Sequence, residues 1–295
     1  MPEAIPDLDA AIDAGLALER EGNLEGALAK LALAVDAADP ATSAIALTHI
    51  ADVHRCQTAW EAALEAARSA QKLARSVGRE ELVFDAAIAE ANVLMCRGDF
   101  DDAVPLFVDV MRRTHDARVR GIALQNLGSI LAQRGQLDEA ERAFGESSEC
   151  FGSCGYQRGE AIALNNQGRA ALDGGDHERA DALLDRARAR AAAVGDAELI
   201  ALTQLNRAEA VLAAGDVGTA DALACAALGY FVSAGNRWRE VECLRLMGAI
   251  HERRGDGASA RRCYQRGLHL AEDVATPVEW TKLRACLARL EAGVD

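Results

Sequence analysis

Three asparagines, Asn126, Asn166 and Asn206, recur at intervals of 40 residues. A side-chain amide offers one acceptor and two donors, enough to bond both the C=O and the N–H of an extended peptide backbone, so a regular ladder of amides can track a strand-like ligand. The same ladder can instead tie one repeat to the next or face solvent, because a sequence grown by repetition inherits identical residues. In register three residues further on stand Asn92, Ser129, Arg169 and Glu209. Gln125, Asn165 and Arg245 lie beside them and are able to add side-chain selectivity. His49 falls at the asparagine register of an earlier repeat.

Groups for covalent or metal chemistry do not assemble. The chain has no G-x-x-x-x-G-K-[ST] phosphate loop, no H-E-x-x-H, no G-x-S-x-G elbow and no strand to carry a dinucleotide turn. No two of the six histidines have metal-ligand spacing. None of the eight cysteines forms a C-x-x-C pair. Cys56, Cys96, Cys225, Cys243, Cys263 and Cys286 lie singly in helical patterns and read as reduced core thiols. Cys150 and Cys154 share a helix face without His or further Cys in register. The chain therefore reads as a non-enzyme with no metal and no cofactor.

A net charge of −14, with only three lysines among 32 basic residues, excludes a nucleic-acid binder, which needs clustered cations to neutralise phosphates. Residues 1–59 carry ten carboxylates against Arg20, Lys30 and Arg55. That end either attracts a basic partner or serves solubility. The sequence contains no run of 18 apolar residues and begins on an acidic stretch, so neither a membrane span nor a signal peptide is expected, and the cytoplasm is the expected compartment.

The elements that must position these side chains follow from a second pattern. A Gly followed by Asp, Asn or Gln, with Ala five residues after the Gly, occurs at Gly22, Gly98, Gly135, Gly175, Gly215 and Gly255, and Thr58 with Ala63 is a degenerate copy. Fixed self-similarity of this length denotes a stack of one supersecondary unit. In residues 118–155, Leu124, Leu127, Gly128 and Leu131 make one apolar helix face, Gly135 ends the helix, and Leu137, Ala140, Ala143, Phe144 and Ser147 face inward on the next. Seven residues before each turn stand Gly15, Ala51, Ala91, Gly128, Gly168, Ala208 and Gly248, which oppose the turn-following alanines across a close helical crossing. Leu31, Phe107, Phe144, Leu184 and Tyr264 are expected to fill the gap between neighbouring hairpins. Composition agrees: 50% hydrophobic, 4% aromatic and five prolines fit packed helices rather than strands.

Leu127-Gly128, Leu131, Gly135, Ala140 and Phe144 resemble the tetratricopeptide repeat (TPR) signature, and the match extends over residues 7–292. The longer spacing is similar to that of the Leu-Gly-Asn repeat family, kinesin light chains and bacterial peptide-binding regulators. The resemblance implies an all-α, right-handed superhelical α-solenoid of about seven helical hairpins, with turns near 22, 58, 98, 135, 175, 215 and 255, forming a single domain over 1–295. A capping helix over 277–292 is expected to bury Leu283, Leu287 and Leu290 and to place Ala288 at the small-residue site. Thr58 and Pro105 depart from the signature, and Pro105 predicts a shifted start or a kink. The resemblance also implies that first helices line the concave wall, so that Asn92, Gln125, Asn126, Ser129, Asn165, Asn166, Arg169, Asn206, Glu209 and Arg245 form a peptide-binding groove. The Lys/Arg carboxylate clamp of chaperone-binding relatives is not recognisable. A scaffold that holds a partner's peptide segment is the expected function; the alternative is a sensory subunit of a bacterial regulatory system acting on an effector on another chain.

Overall fold

The computed structural model describes residues 8–35, 39–273 and 276–292, and these form fifteen helices with no strand among them. They fall into two compact units, Met1–Arg134 and Gly135–Asp295. The first contains α1 (Leu8–Arg20), α2 (Leu24–Val35), α3 (Pro40–Cys56), α4 (Trp60–Ser76), α5 (Glu80–Arg97), α6 (Phe100–Arg113) and α7 (Ala117–Gln133). The second contains α8 (Leu137–Ser153), α9 (Gln157–Asp173), α10 (His177–Ala193), α11 (Ala197–Ala213), α12 (Val217–Ser233), α13 (Arg237–Arg253), α14 (Gly257–Asp273) and α15 (Pro277–Ala292).

Each turn motif acts on two helices at once. Gly175 takes φ +87°, its N–H donates to Leu172 O, and Asp176 N donates to Ala171 O, which closes the end of α9. The Asp176 carboxylate then accepts from Arg179 N at 3.1 Å and begins α10. Asp216 and Asp256 cap α12 and α14 in the same way. Thr58 replaces glycine yet adopts the same left-handed geometry, φ 57°, a conformation that a β-branched side chain resists. Pro105 does not shift its helix: α6 starts two residues after Gly98, in register with the others, and runs through the proline. A ring in the sixth position of a helix removes one amide donor close to the N-terminal turn, where few carbonyl bonds are at stake.

The opposed small residues are buried as the close crossing requires. A Cβ on Gly15 would lie 2.7 Å from Leu31 Cγ, one on Gly168 2.7 Å from Leu184 Cγ, and one on Gly248 2.2 Å from Tyr264 Cε1. The large residues pack over the glycine of their own hairpin and also share a core with the helix that follows, Leu31 with Ala46 and Val53, Leu184 with Ala210, and Tyr264 with Leu283. Size is compensated within the pair: Ala51 and Ala208 share their cores with Ala67 and Ala224, where Gly15, Gly168 and Gly248 are matched by Leu31, Leu184 and Tyr264. Ala91 with Phe107 departs from that pairing.

Within each unit the first helices of successive repeats touch, α1–α3–α5–α7 and α9–α11–α13–α15. Within each unit the second helices touch only first helices adjacent to them in the chain. The first-helix row is thus the tighter one and presents a continuous face of side chains. Helix α15 buries Leu283 fully and Leu287 and Leu290 in part, while Ala288 is exposed because no second helix among the described residues covers it. The core-thiol expectation holds for Cys243 alone, whose thiol burial pushes up to about 12. Cys56, Cys96, Cys154 and Cys225 are exposed, and Cys150, Cys263 and Cys286 are half-buried; none of the eight is in a disulfide.

Candidate functional site

In the second unit the first-helix face is crossed by a chain of alternating charges. Arg169 on α9 pairs with Glu209 on α11 and with Asp173 one turn away, Nη2–Oδ1 2.7 Å. Arg245 on α13 reaches Glu209 through Nη2 at 3.1 Å and Glu279 on α15 through Nε at 2.9 Å. Lys282 Nζ donates to the other oxygen of Glu279 at 2.7 Å. Burial by itself would raise the Glu209 carboxyl, but Arg169 and Arg245 outweigh it and hold the group below the usual carboxylate range. Burial likewise opposes the charge on Arg245, and Glu209 and Glu279 more than restore it.

The amides of this unit are also spent on one another. Asn206 Nδ2 donates to Asn165 Oδ1 at 2.9 Å, and Asn165 Nδ2 to Asn166 Oδ1 at 3.3 Å. Asn165 and Asn206 are buried. Asn166, half-buried, keeps its Nδ2 outside every described bond and lines a cavity of about 230 Å³ with Asn165, Arg158, Leu199, Phe231 and Arg239.

The first unit presents a different face. A cavity of about 540 Å³ opens between α3, α5 and α7, walled by Ile45, Leu82, Ile88, Val119 and Ile122, with Thr48, His49, Asp52, Asp85, Asp116 and Arg118 among its polar lining. Asp52 is held by Arg55 at 3.2 Å, and Asp116 caps α7 by accepting from Arg118 N at 2.7 Å and Val119 N at 3.1 Å. Asp85 has no hydrogen bond or ion pair to a described residue. Crowding by protein atoms raises its carboxyl, the charge of Asp116 adds to this, and Arg118 offsets it in part, although the side chain remains open to solvent. Burial lowers the His49 imidazole against the pull of Asp52.

The remaining expected residues of this unit lie nearby on α5 and α7. Asn126 Nδ2 donates to Asn92 Oδ1 at 2.8 Å, Ser129 Oγ donates to Gln125 O at 3.0 Å within its own helix, and Gln125 Oε1 is buried without a partner. Within the two units, then, Asn126 and Asn206 tie consecutive first helices together, and Arg169, Glu209 and Arg245 form one charge network. Asp85, Asp116 and Arg118 are lining residues that the repeat pattern did not single out. Thirteen residues before the turn the adjacent repeats carry Ile45 and Ile122 and later ones Ile162 and Leu202, but Asp9 and Glu242 hold carboxylates at the same register, so Asp85 stands out against its immediate neighbours and not against the whole column.

A family model described as tetratricopeptide repeat matches residues 122–150. That segment is a tetratricopeptide repeat, and the chain as a whole has the helical fold of TPR proteins. Solved TPR structures share the fold at low identity. The STAND signal-transduction ATPase with a tetratricopeptide repeat sensor from Pyrococcus horikoshii is 14% identical, with TM-score 0.74 over 98% of this chain and 44% of that one. The apo form of the quorum sensor NprR from B. thuringiensis is 16% identical, with TM-score 0.67 over 89% and 76%. A Rap protein complexed with Competence and Sporulation Factor is 17% identical, with TM-score 0.66 over 90% and 75%. No curated protein sequence matches significantly. Among the described residues no helix is long and apolar enough to cross a membrane.

Proposed function

We propose that this TPR chain is a non-catalytic, cytoplasmic module that binds a peptide segment of a partner on its first-helix face, with the cavity between α3, α5 and α7 as the principal site. The observation that carries the reading is that this cavity combines apolar walls with an unpaired carboxylate, Asp85, whereas the facing charges in the second unit neutralise one another. Its volume suits a few side chains of an extended segment. Eight cysteines, none in a disulfide, agree with a reducing compartment. The experiment is selection of displayed peptides against the full chain, followed by titration of Thr48→Trp, which places an indole in the cavity. The reading expects enriched peptides whose affinity falls at least about tenfold in that variant; peptides that bind it unchanged rule the cavity out.

A sensory role is favoured by one observation: similar folds include a quorum sensor and a Rap protein bound to a factor. In that reading the bound peptide alters an effector on another chain by changing the spacing of first helices that touch only their neighbours. Small-angle scattering with and without a selected peptide tests it; an unchanged radius of gyration leaves binding without signalling.

A further inference from the structure

We infer that the cavity of the first unit selects a basic side chain carried beside an aliphatic one: a Lys or Arg adjacent to Leu, Ile or Val in an extended segment, with Asp85 receiving the cation. The inference rests on the binding reading above and adds the chemistry of the ligand.

The argument is charge complementarity inside an apolar frame. Ile45 and Ile122 occupy on α3 and α7 the register that Asp85 occupies on α5 between them, and all three line the one cavity. The repeat thus supplies two aliphatic walls and replaces the middle one with a carboxylate. Asp52 is already paired with Arg55, and Asp116 spends an oxygen on two backbone amides of α7 while keeping its charge beside Asp85. Arg118 lines the cavity as well and offsets part of that charge, and His49 is held toward its neutral form. A carboxylate without an ion-pair partner, next to a second anion, gains from a cation brought by a ligand more than any paired group can. A purely aliphatic ligand would cover Asp85 and leave it unpaired, and an acidic one would add a third anion to Asp85 and Asp116. The long stem of Lys or Arg can lie against Leu82 and Ile88 while its head reaches the carboxylate.

The test uses the full chain and a library of random seven-residue peptides. Enriched peptides are expected to carry Lys or Arg next to Leu, Ile or Val. Asp85→Asn should weaken them about tenfold, while Asp85→Glu restores most of the affinity and both variants melt within a few degrees of the parent. A loss of melting temperature in Asp85→Asn shifts the decision to the Glu variant and to the composition of the enriched set. Spermidine, as a free amine without apolar flanks, should bind at least tenfold more weakly than the peptides. Enriched peptides that are neutral or acidic, or that bind Asp85→Asn as well as the parent, overturn this inference and leave the groove reading standing. Spermidine binding as tight as the peptides overturns it too. Failure to enrich any peptide removes the groove reading and this inference together.

Discussion

The two units use one repeat grammar to opposite ends. In the second, Gly135, Gly175, Gly215 and Gly255 keep a constant spacing, the turns between α8 and α14 each hold a left-handed glycine, and the first helices are laced by Arg169, Glu209, Arg245 and Glu279. In the first, the turns at Gly22, Thr58 and Gly98 are unevenly spaced, α6 ends on an extended Thr114 instead of a glycine, and α3, α5 and α7 leave a cavity of about 540 Å³ between them. Regular repeats place complementary charges in register and so satisfy their own face. Irregular repeats leave groups such as Asp85 without an internal partner, and those are the groups a ligand can use.

The comparison can be broken most severely at the helical crossings of the second unit. Leu184→Ala should cost about 2–5 kcal/mol by emptying the space over Gly168, and Gly168→Ala alone roughly 1–3 kcal/mol by pressing a methyl into Leu184. Together they recreate the Ala/Ala pairing of Ala208 and Ala224, so the double variant should lose at least about 1 kcal/mol less than the two single losses combined. Strict additivity in denaturant unfolding would show that the pairs do not compensate each other.

The charge ladder comes next. Glu209→Gln should cost about 1–3 kcal/mol at neutral pH, because Arg169 and Arg245 both lose their shared acceptor. The sign with pH is fixed by the depressed carboxyl. Its stabilisation is present above the unfolded pKa of about 4.3 and disappears as pH falls through the lower folded value. The gap in melting temperature between parent and variant should therefore narrow on acidification; a gap constant from pH 7 to about pH 3 contradicts the ladder.

Smaller effects sharpen the contrast. Asn126→Ala and Asn206→Ala should each cost about 1 kcal/mol, since each removes one bond between neighbouring first helices. Thr58→Gly should stabilise the first unit by about 0.5–1 kcal/mol through relief of its left-handed backbone, net of the added freedom of the unfolded chain. A destabilised Thr58→Gly would mean that the threonine side chain makes a compensating contact.

The helices and turns were legible because each depends on local residues: a Gly that accepts positive φ, an Ala five residues after it opposed to a Gly or Ala seven residues before it, and Pro277 opening the last helix. The capping role of Asp176, Asp196, Asp216 and Asp256 was legible in principle, since a short polar side chain before a helical run accepts from its first amides. The site was less so. Identical asparagines in register suggested one shared role, yet Asn126 bonds Asn92, Asn206 bonds Asn165, and Asn166 bonds neither of the other two; the partner depends on which residue the preceding repeat offers. Periodicity reports what repeats, and Asp85 matters through its neighbours Ile45 and Ile122, since its register holds carboxylates again at Asp9 and Glu242.

The central claim, that ligand binds the open face of the first unit and not the self-paired face of the second, is tested most directly by calorimetric titration of one selected peptide into two variants. The account predicts at least a tenfold loss of affinity for Thr48→Trp, in the cavity of the first unit, and less than about a twofold change for Asn166→Ala, in the second. Full affinity in Thr48→Trp together with loss in Asn166→Ala would contradict it.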